Sequence, residues 1–189
     1  MIPVTPQAEP ASFDAQVRKP GLAWLSQHSL PLVGGKPTGV ELEPYWRRCL
    51  DDLHVAYGGI CAYVSVYIEP VTGARTVEHF VPKSQELAGA YEWGNYRLAC
   101  ARINSRKGDV TSVLDPFELV DETFRLELVS GRIYVNPALA SEERAEAQKT
   151  IDILGLDAPD CRELRAKYFN YYCTRDISLD YLRRRCPFL

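Results

Sequence analysis

Between Thr76 and Asp109 the chain reads TVEHFVPKS and, after a short spacer, WGNYRLACARINSRKGD. This segment restricts the fold more than any other. Arg75 to Val81 reads as a strand, and Pro82 must end it because proline cannot donate to a ladder. Tyr96 to Cys100 reads as a second short strand, and Ala101 to Lys107 as a helical turn or two closed by Gly108. The order is strand, loop, strand, helix. It puts Glu78 and His79 at the end of the first strand, Asn95 just before the second, and Asn104 in the helix.

The flanks fill out an α+β chain. Residues 1–40 hold Pro3, Pro6, Pro10, Pro20, Pro31 and Pro37 with Gly34 and Gly35, so they read as an extended arm with a short helix near Leu22 to His28. Tyr45, Trp46, Cys49, Leu50 and Leu53 recur at helical spacing, and Gly58-Gly59 ends that helix. Cys61 to Ile68 is aromatic and β-branched and reads as a strand, with a turn over Val71 to Ala74. Phe124, Leu126 and Leu128, then Ile133 and Val135, alternate about Ser130-Gly131 as a hairpin. Ser141 is the expected N-cap of a helix to Leu154, and Pro159 starts another to about Cys173. The predicted organisation is a proline-rich arm over 1–40 and a single domain over 41–189. That domain has a core at about 60–109, braced by the hairpin and helices of 110–189.

A hydrophobic content of 46% with 25% charged residues belongs to a folded chain. No apolar run reaches membrane-span length and residues 1–20 lack a leader pattern, so the expected location is the cytoplasm with no membrane partner. Six cysteines are too sparse for a disulfide scaffold and read as reduced thiols. The net charge of −3 argues against a surface that coats nucleic acid. Residues 75–109, however, carry six cations against four carboxylates, with none acidic from Arg97 to Lys107. Lys83, Arg97, Arg106 and Lys107 are therefore candidates to hold a phosphate backbone at one place. A zinc deaminase is excluded, since the His-x-Glu and Pro-Cys-x-x-Cys signature is absent.

Phosphodiester hydrolysis needs an activated water and an electrophile for the phosphate oxygens. His79 suits the base, because imidazole titrates near neutrality. Hard cations want oxygen ligands, which Glu78 and Asn104 could supply. Adjacent strand residues point to opposite faces, so Glu78 and His79 converge only where the strand ends.

The sets EHF-x-PKS, W-x-N-x-x-L-x-C and N-x-x-K-G-D, met in this order, resemble the HNH endonucleases. The resemblance implies a ββα-metal core that cuts nucleic acid, DNA ahead of RNA, with one Mg²⁺ or Mn²⁺. It assigns Glu78 and Asn104 to the metal, His79 to the base, and Asn95 to orienting the loop that carries the histidine. Over about residues 45–168 the chain is similar to HNH proteins of bacterial defence systems, retron-associated and Septu-type. This implies an anti-phage role, and some such proteins work beside an ATPase partner. Many HNH proteins carry two cysteine pairs around a structural zinc. Here Cys61-Ala-Tyr-Val64 and Cys100-Ala-Arg-Ile103 each keep one cysteine, so zinc is not expected, and Val64 and Ile103 are expected to pack in its place. His54 is the remaining candidate for a third ligand. Two other functions stay open: a silent nucleic-acid-binding or scaffolding protein, and a nuclease that prefers RNA.

Overall fold

The structure, a computed structural model, describes residues 1–72 and 74–189. The proline-rich arm is part of the core rather than a lead-in. A π-type stretch, Asp14–Arg18, runs into α1 (Lys19–Gln27), where Pro20 is tolerated because its missing N–H falls in the first turn. Phe13 and Val17 are fully buried, and the Phe13 ring stands edge-on to Trp93 and Tyr96 at centroid distances of 5.6 and 5.8 Å. Burying each such side chain contributes about 1.5–3 kcal/mol, which an extended arm would forgo.

Tyr45–Cys49 forms a 3₁₀ turn that continues into α2 (Leu50–Ala56). Gly58 and Gly59 follow at φ 57° and 72°, left-handed positions that stop the helix. The strand expected over Cys61 to Ile68 is instead a tight turn. The Ser65 N–H donates to Cys61 O at 3.0 Å, the Cys61 N–H to Val66 O at 2.9 Å, and Ser65 sits at φ 55°. Only one bridge, Ile60 with Tyr67, is strand-like. The β-branched composition here reflects burial: Cys61, Tyr63, Val64 and Val66 are all in the core. The expected turn at Val71 to Ala74 includes Gly73, which lies outside the described residues; Pro70–Thr72 is a 3₁₀ turn.

β1 (Arg75–His79) pairs antiparallel with β2 (Tyr96–Cys100), with Glu78 opposite Arg97 and His79 opposite Tyr96. α3 (Ala101–Lys107) follows β2 directly and packs against both strands. β3 (Phe124–Glu127) and β4 (Arg132–Val135) form the downstream hairpin. α4 (Ser141–Leu154) begins one residue differently from expectation: Ala140 is the N-cap, and its N–H donates to the Glu143 carboxylate at 2.9 Å. A carboxylate in the first turn also faces the positive end of the helix dipole.

α5 (Pro159–Cys173) and α6 (Leu179–Arg185) complete the chain. The buried Arg165 of α5 donates to Gly131 O at 2.7 Å and Leu156 O at 2.8 Å, which ties the helix to the β3–β4 turn. Gly131 has no room for a side chain, since a Cβ would lie 2.1 Å from Arg162 O. Among the described residues the architecture is mixed α+β, with two separate two-stranded sheets. Among the described residues no helix is long and apolar enough to cross a membrane.

Candidate functional site

His79 closes β1 and points into an aromatic pocket, 5% exposed. Trp46 and Tyr96 each stand edge-on to its ring at 5.0 Å. Its Nε2 lies 2.9 Å from Ala90 O. A carbonyl can only accept, so Nε2 carries the proton and Nδ1 holds the lone pair. Lys83 Nζ donates to that lone pair at 3.1 Å while lying 4.8 Å over the Trp46 ring. Burial foremost, and then the Lys83 charge, hold the imidazole neutral and bring its pKa down to about 3. Burial lowers the Lys83 ammonium as well.

The loop after β1 is held in place by Asn95. Its Oδ1 accepts the Val81 N–H at 2.8 Å, and its Nδ2 donates to Val81 O and Gly89 O at 3.0 Å each. Gly89 must stay bare, because a Cβ there would lie 2.8 Å from Asn95 Nδ2. A segment of the N-terminal arm covers the outside of the same loop: the Lys36 N–H donates to Lys83 O, and the Leu87 N–H to Gly34 O.

Glu78 contacts a different set of residues. It is 1% exposed, accepts the Tyr63 hydroxyl on Oε2 at 2.6 Å, and meets Lys107 Nζ on Oε1 at 2.7 Å. Lys107 is fully buried, and its ammonium also donates to His79 O at 3.1 Å and Phe80 O at 2.8 Å. Three donors thus meet three oxygens. Asn104 Nδ2 donates to Thr76 Oγ1 at 3.0 Å, and that hydroxyl in turn donates to Ala99 O at 2.8 Å. Thr76 and Glu78 therefore face α3, through Asn104 and Lys107, while the His79 imidazole does not join them. The strand ends at His79 but still alternates there.

The oxygen donors of Glu78 and Asn104 are of the type a hard cation prefers. In this arrangement both Glu78 oxygens are taken, by Lys107 and Tyr63, so a cation would have to displace Lys107. Among the described residues, no group of three or more His, Cys, Asp or Glu side chains could hold a metal ion.

The phosphate candidates divide sharply. Arg97 is 4% exposed, holds Asp115 through two bonds of 2.8 and 2.6 Å, and lies 3.5 Å over the Phe117 ring. It is a core ion pair rather than a surface contact, and so is Lys107. Arg106 is exposed at its base, but its guanidinium donates to Leu154 O and Gly155 O at 3.1 Å, covering the carbonyl end of α4. Arg75 and Arg102 pair with Asp51 and Asp160. Of the basic run, Arg97 and Lys107 are thus neutralised inside the molecule, and Arg75 and Arg102 at its surface. Of the four candidates, only Lys83 reaches the His79 imidazole, while Lys107 meets its backbone carbonyl.

Cys61 and Cys100 adjoin one another. The Cys100 N–H donates to Cys61 Sγ at 3.4 Å. Burial pushes the Cys61 thiol well up, and the proximity of Cys61, with the N–H groups at the start of α3, brings Cys100 down to about 6. Val64 and Ile103 are both buried and border one cavity next to Cys100. His54 is a packed histidine, with Nε2 2.9 Å from Ile68 O and its ring edge-on to Tyr67.

Several partners escaped the sequence reading. Thr76 was within reach, since it sits two residues before Glu78 and shares its face. Tyr63, Trp46, the Ala90 carbonyl and Asp115 carry no local signal. Comparison with protein-family profiles and with curated protein sequences finds no match.

Proposed function

We propose that this chain is a metal-dependent endonuclease of the ββα-metal (HNH) kind, acting on DNA before RNA, and that the arrangement described is its closed form. One observation carries the reading: an imidazole at the end of β1 whose tautomer is fixed by the Ala90 carbonyl, next to a loop held by three bonds from Asn95. That is the division of labour the resemblance implies for these two residues. β1, β2 and α3 supply the strand–strand–helix frame. His79 Nδ1 takes the proton from water once the flexible Lys83 side chain turns away, and Lys83 is then free to meet a phosphate oxygen. Glu78 and Asn104 would hold one Mg²⁺ or Mn²⁺ only after Lys107 leaves Glu78. Held there, the ion would supply charge stabilisation to the phosphate oxygens. An ATPase or other partner of a defence system is a natural source of that opening.

A second reading is favoured by the sealed Glu78–Lys107 pair: a silent HNH-like protein that binds nucleic acid or scaffolds an assembly. Labelled duplex DNA, single-stranded DNA and structured RNA, incubated with the chain and Mg²⁺, Mn²⁺ or EDTA, separate the readings. Divalent-dependent cleavage of DNA supports the proposal, and cleavage of RNA alone redirects it to an RNA-cleaving nuclease. Retention of nucleic acid without hydrolysis under every metal supports the silent protein.

A further inference from the structure

Cys61 lies fully buried in the tight turn of residues 61–66, and Cys100 is half-buried at the junction of β2 and α3. Backbone bonds hold both: the Ala62 N–H donates to Leu98 O at 2.8 Å, and the Cys100 N–H to Cys61 Sγ at 3.4 Å. Beside Cys100 lies a cavity of about 120 Å³, lined by Val64, Val66, Ile103 and Leu164, by the charged Arg102, Asp160 and Arg165, and by Cys161. This space is large enough for a small uncharged oxidant. Cys161 lines the same cavity, and Cys173 an open pocket elsewhere on the surface. Cys49 donates to Trp46 O at 3.2 Å in the core, Cys186 is buried, and Cys173 is exposed on α5.

We propose that Cys61 and Cys100 are a reversible oxidation site, closing to a disulfide when hydrogen peroxide enters the cavity beside Cys100. The Cys100 thiolate attacks one peroxide oxygen and the O–O bond breaks. The departing hydroxide takes a proton and leaves as water, with Cys100 now a sulfenic acid. The Cys61 sulfur then attacks the Cys100 sulfur, the S–O bond breaks, and the hydroxide leaves with the Cys61 proton as a second water. Two thiols are oxidised and one peroxide is reduced. In a reducing compartment the pair rests as thiols and closes transiently. Closed, it ties the 61–66 turn to the residue that starts α3, the helix whose Asn104 and Lys107 face Thr76 and Glu78. The inference stands apart from the nuclease reading, because its readout is thiol chemistry.

The test treats the reduced full chain with hydrogen peroxide, alkylates the remaining thiols and maps non-reduced peptides by mass. Cys100→Ser and Cys61→Ser are run beside it. The expected product is a Cys61–Cys100 cross-link with two fewer alkylatable thiols, reversed by dithiothreitol. The melting midpoint should rise by roughly 5–10 °C on oxidation, since the bond closes a long loop. Cys100→Ser should leave Cys61 unoxidised, and Cys61→Ser should stop Cys100 at a sulfenic acid that a dimedone reagent captures. The parent map decides even if Cys61→Ser does not fold. A cross-link from Cys100 to Cys161, Cys100 advancing to sulfinic acid beside an alkylatable Cys61, or no reaction at either thiol overturns the proposal.

Discussion

Replacing Lys107 with methionine keeps most of the length of the side chain and removes its charge. The fully buried ammonium meets Glu78 Oε1 at 2.7 Å and two backbone carbonyls, and Glu78 itself is 1% exposed. Removing one member of a buried pair leaves an uncompensated charge and costs about 3–5 kcal/mol. The freed His79 and Phe80 carbonyls add to that figure. A loss of about 4 kcal/mol is expected, or a midpoint drop of roughly 8–16 °C for a chain of this size. Urea unfolding at neutral pH measures it directly. Adding Glu78→Gln should recover part of the loss, giving a coupling of about 2 kcal/mol in the double-mutant cycle. A single-variant cost below about 1 kcal/mol, or an additive cycle, would refute the claim that these two charges sustain each other.

Other expectations follow from the same contacts. Asn95→Ala leaves the Val81 N–H and two carbonyls unmet, so it should cost about 1–3 kcal/mol and speed hydrogen exchange across residues 81–89. His79 is neutral in the fold with a pKa near 3, against about 6.5 when unfolded. The unfolded chain therefore binds the extra proton between those values, and stability should fall by roughly 1.4 kcal/mol per pH unit as pH drops from 6.5 toward 3. His79→Gln should flatten that slope, and an unchanged slope would count against the buried neutral imidazole. Asn104→Ala should shift the divalent-ion titration of any cleavage to higher concentration, while an unaltered titration would remove it from the metal role.

Much of this architecture was legible from local pattern. The breaks at Pro82, Gly108 and Gly155, and the alternation about Ser130-Gly131, gave the elements their places because proline and glycine act through the backbone alone. Cys61 to Ile68 misled because burial and strand formation favour the same residue types, and the left-handed Ser65 leaves no compositional trace. The arm misled in the opposite sense: its prolines suggested a lead-in, while Phe13, Val17 and Leu25 are core residues. At the site, the order Glu78, His79, Asn95, Asn104 was readable, but the fate of each charge was not. Arg97 finds Asp115 and Lys107 finds Glu78 across stretches of chain whose approach only the tertiary fold determines. A count of cations therefore suggested a basic surface where the structure holds internal ion pairs.

The most direct test of the nuclease reading compares the parent with His79→Ala on supercoiled plasmid in Mg²⁺ or Mn²⁺, with circular dichroism to confirm that both are folded. The account predicts cleavage by the parent, abolished by EDTA and lowered at least about 100-fold in the variant. Equal cleavage by the two proteins would contradict it.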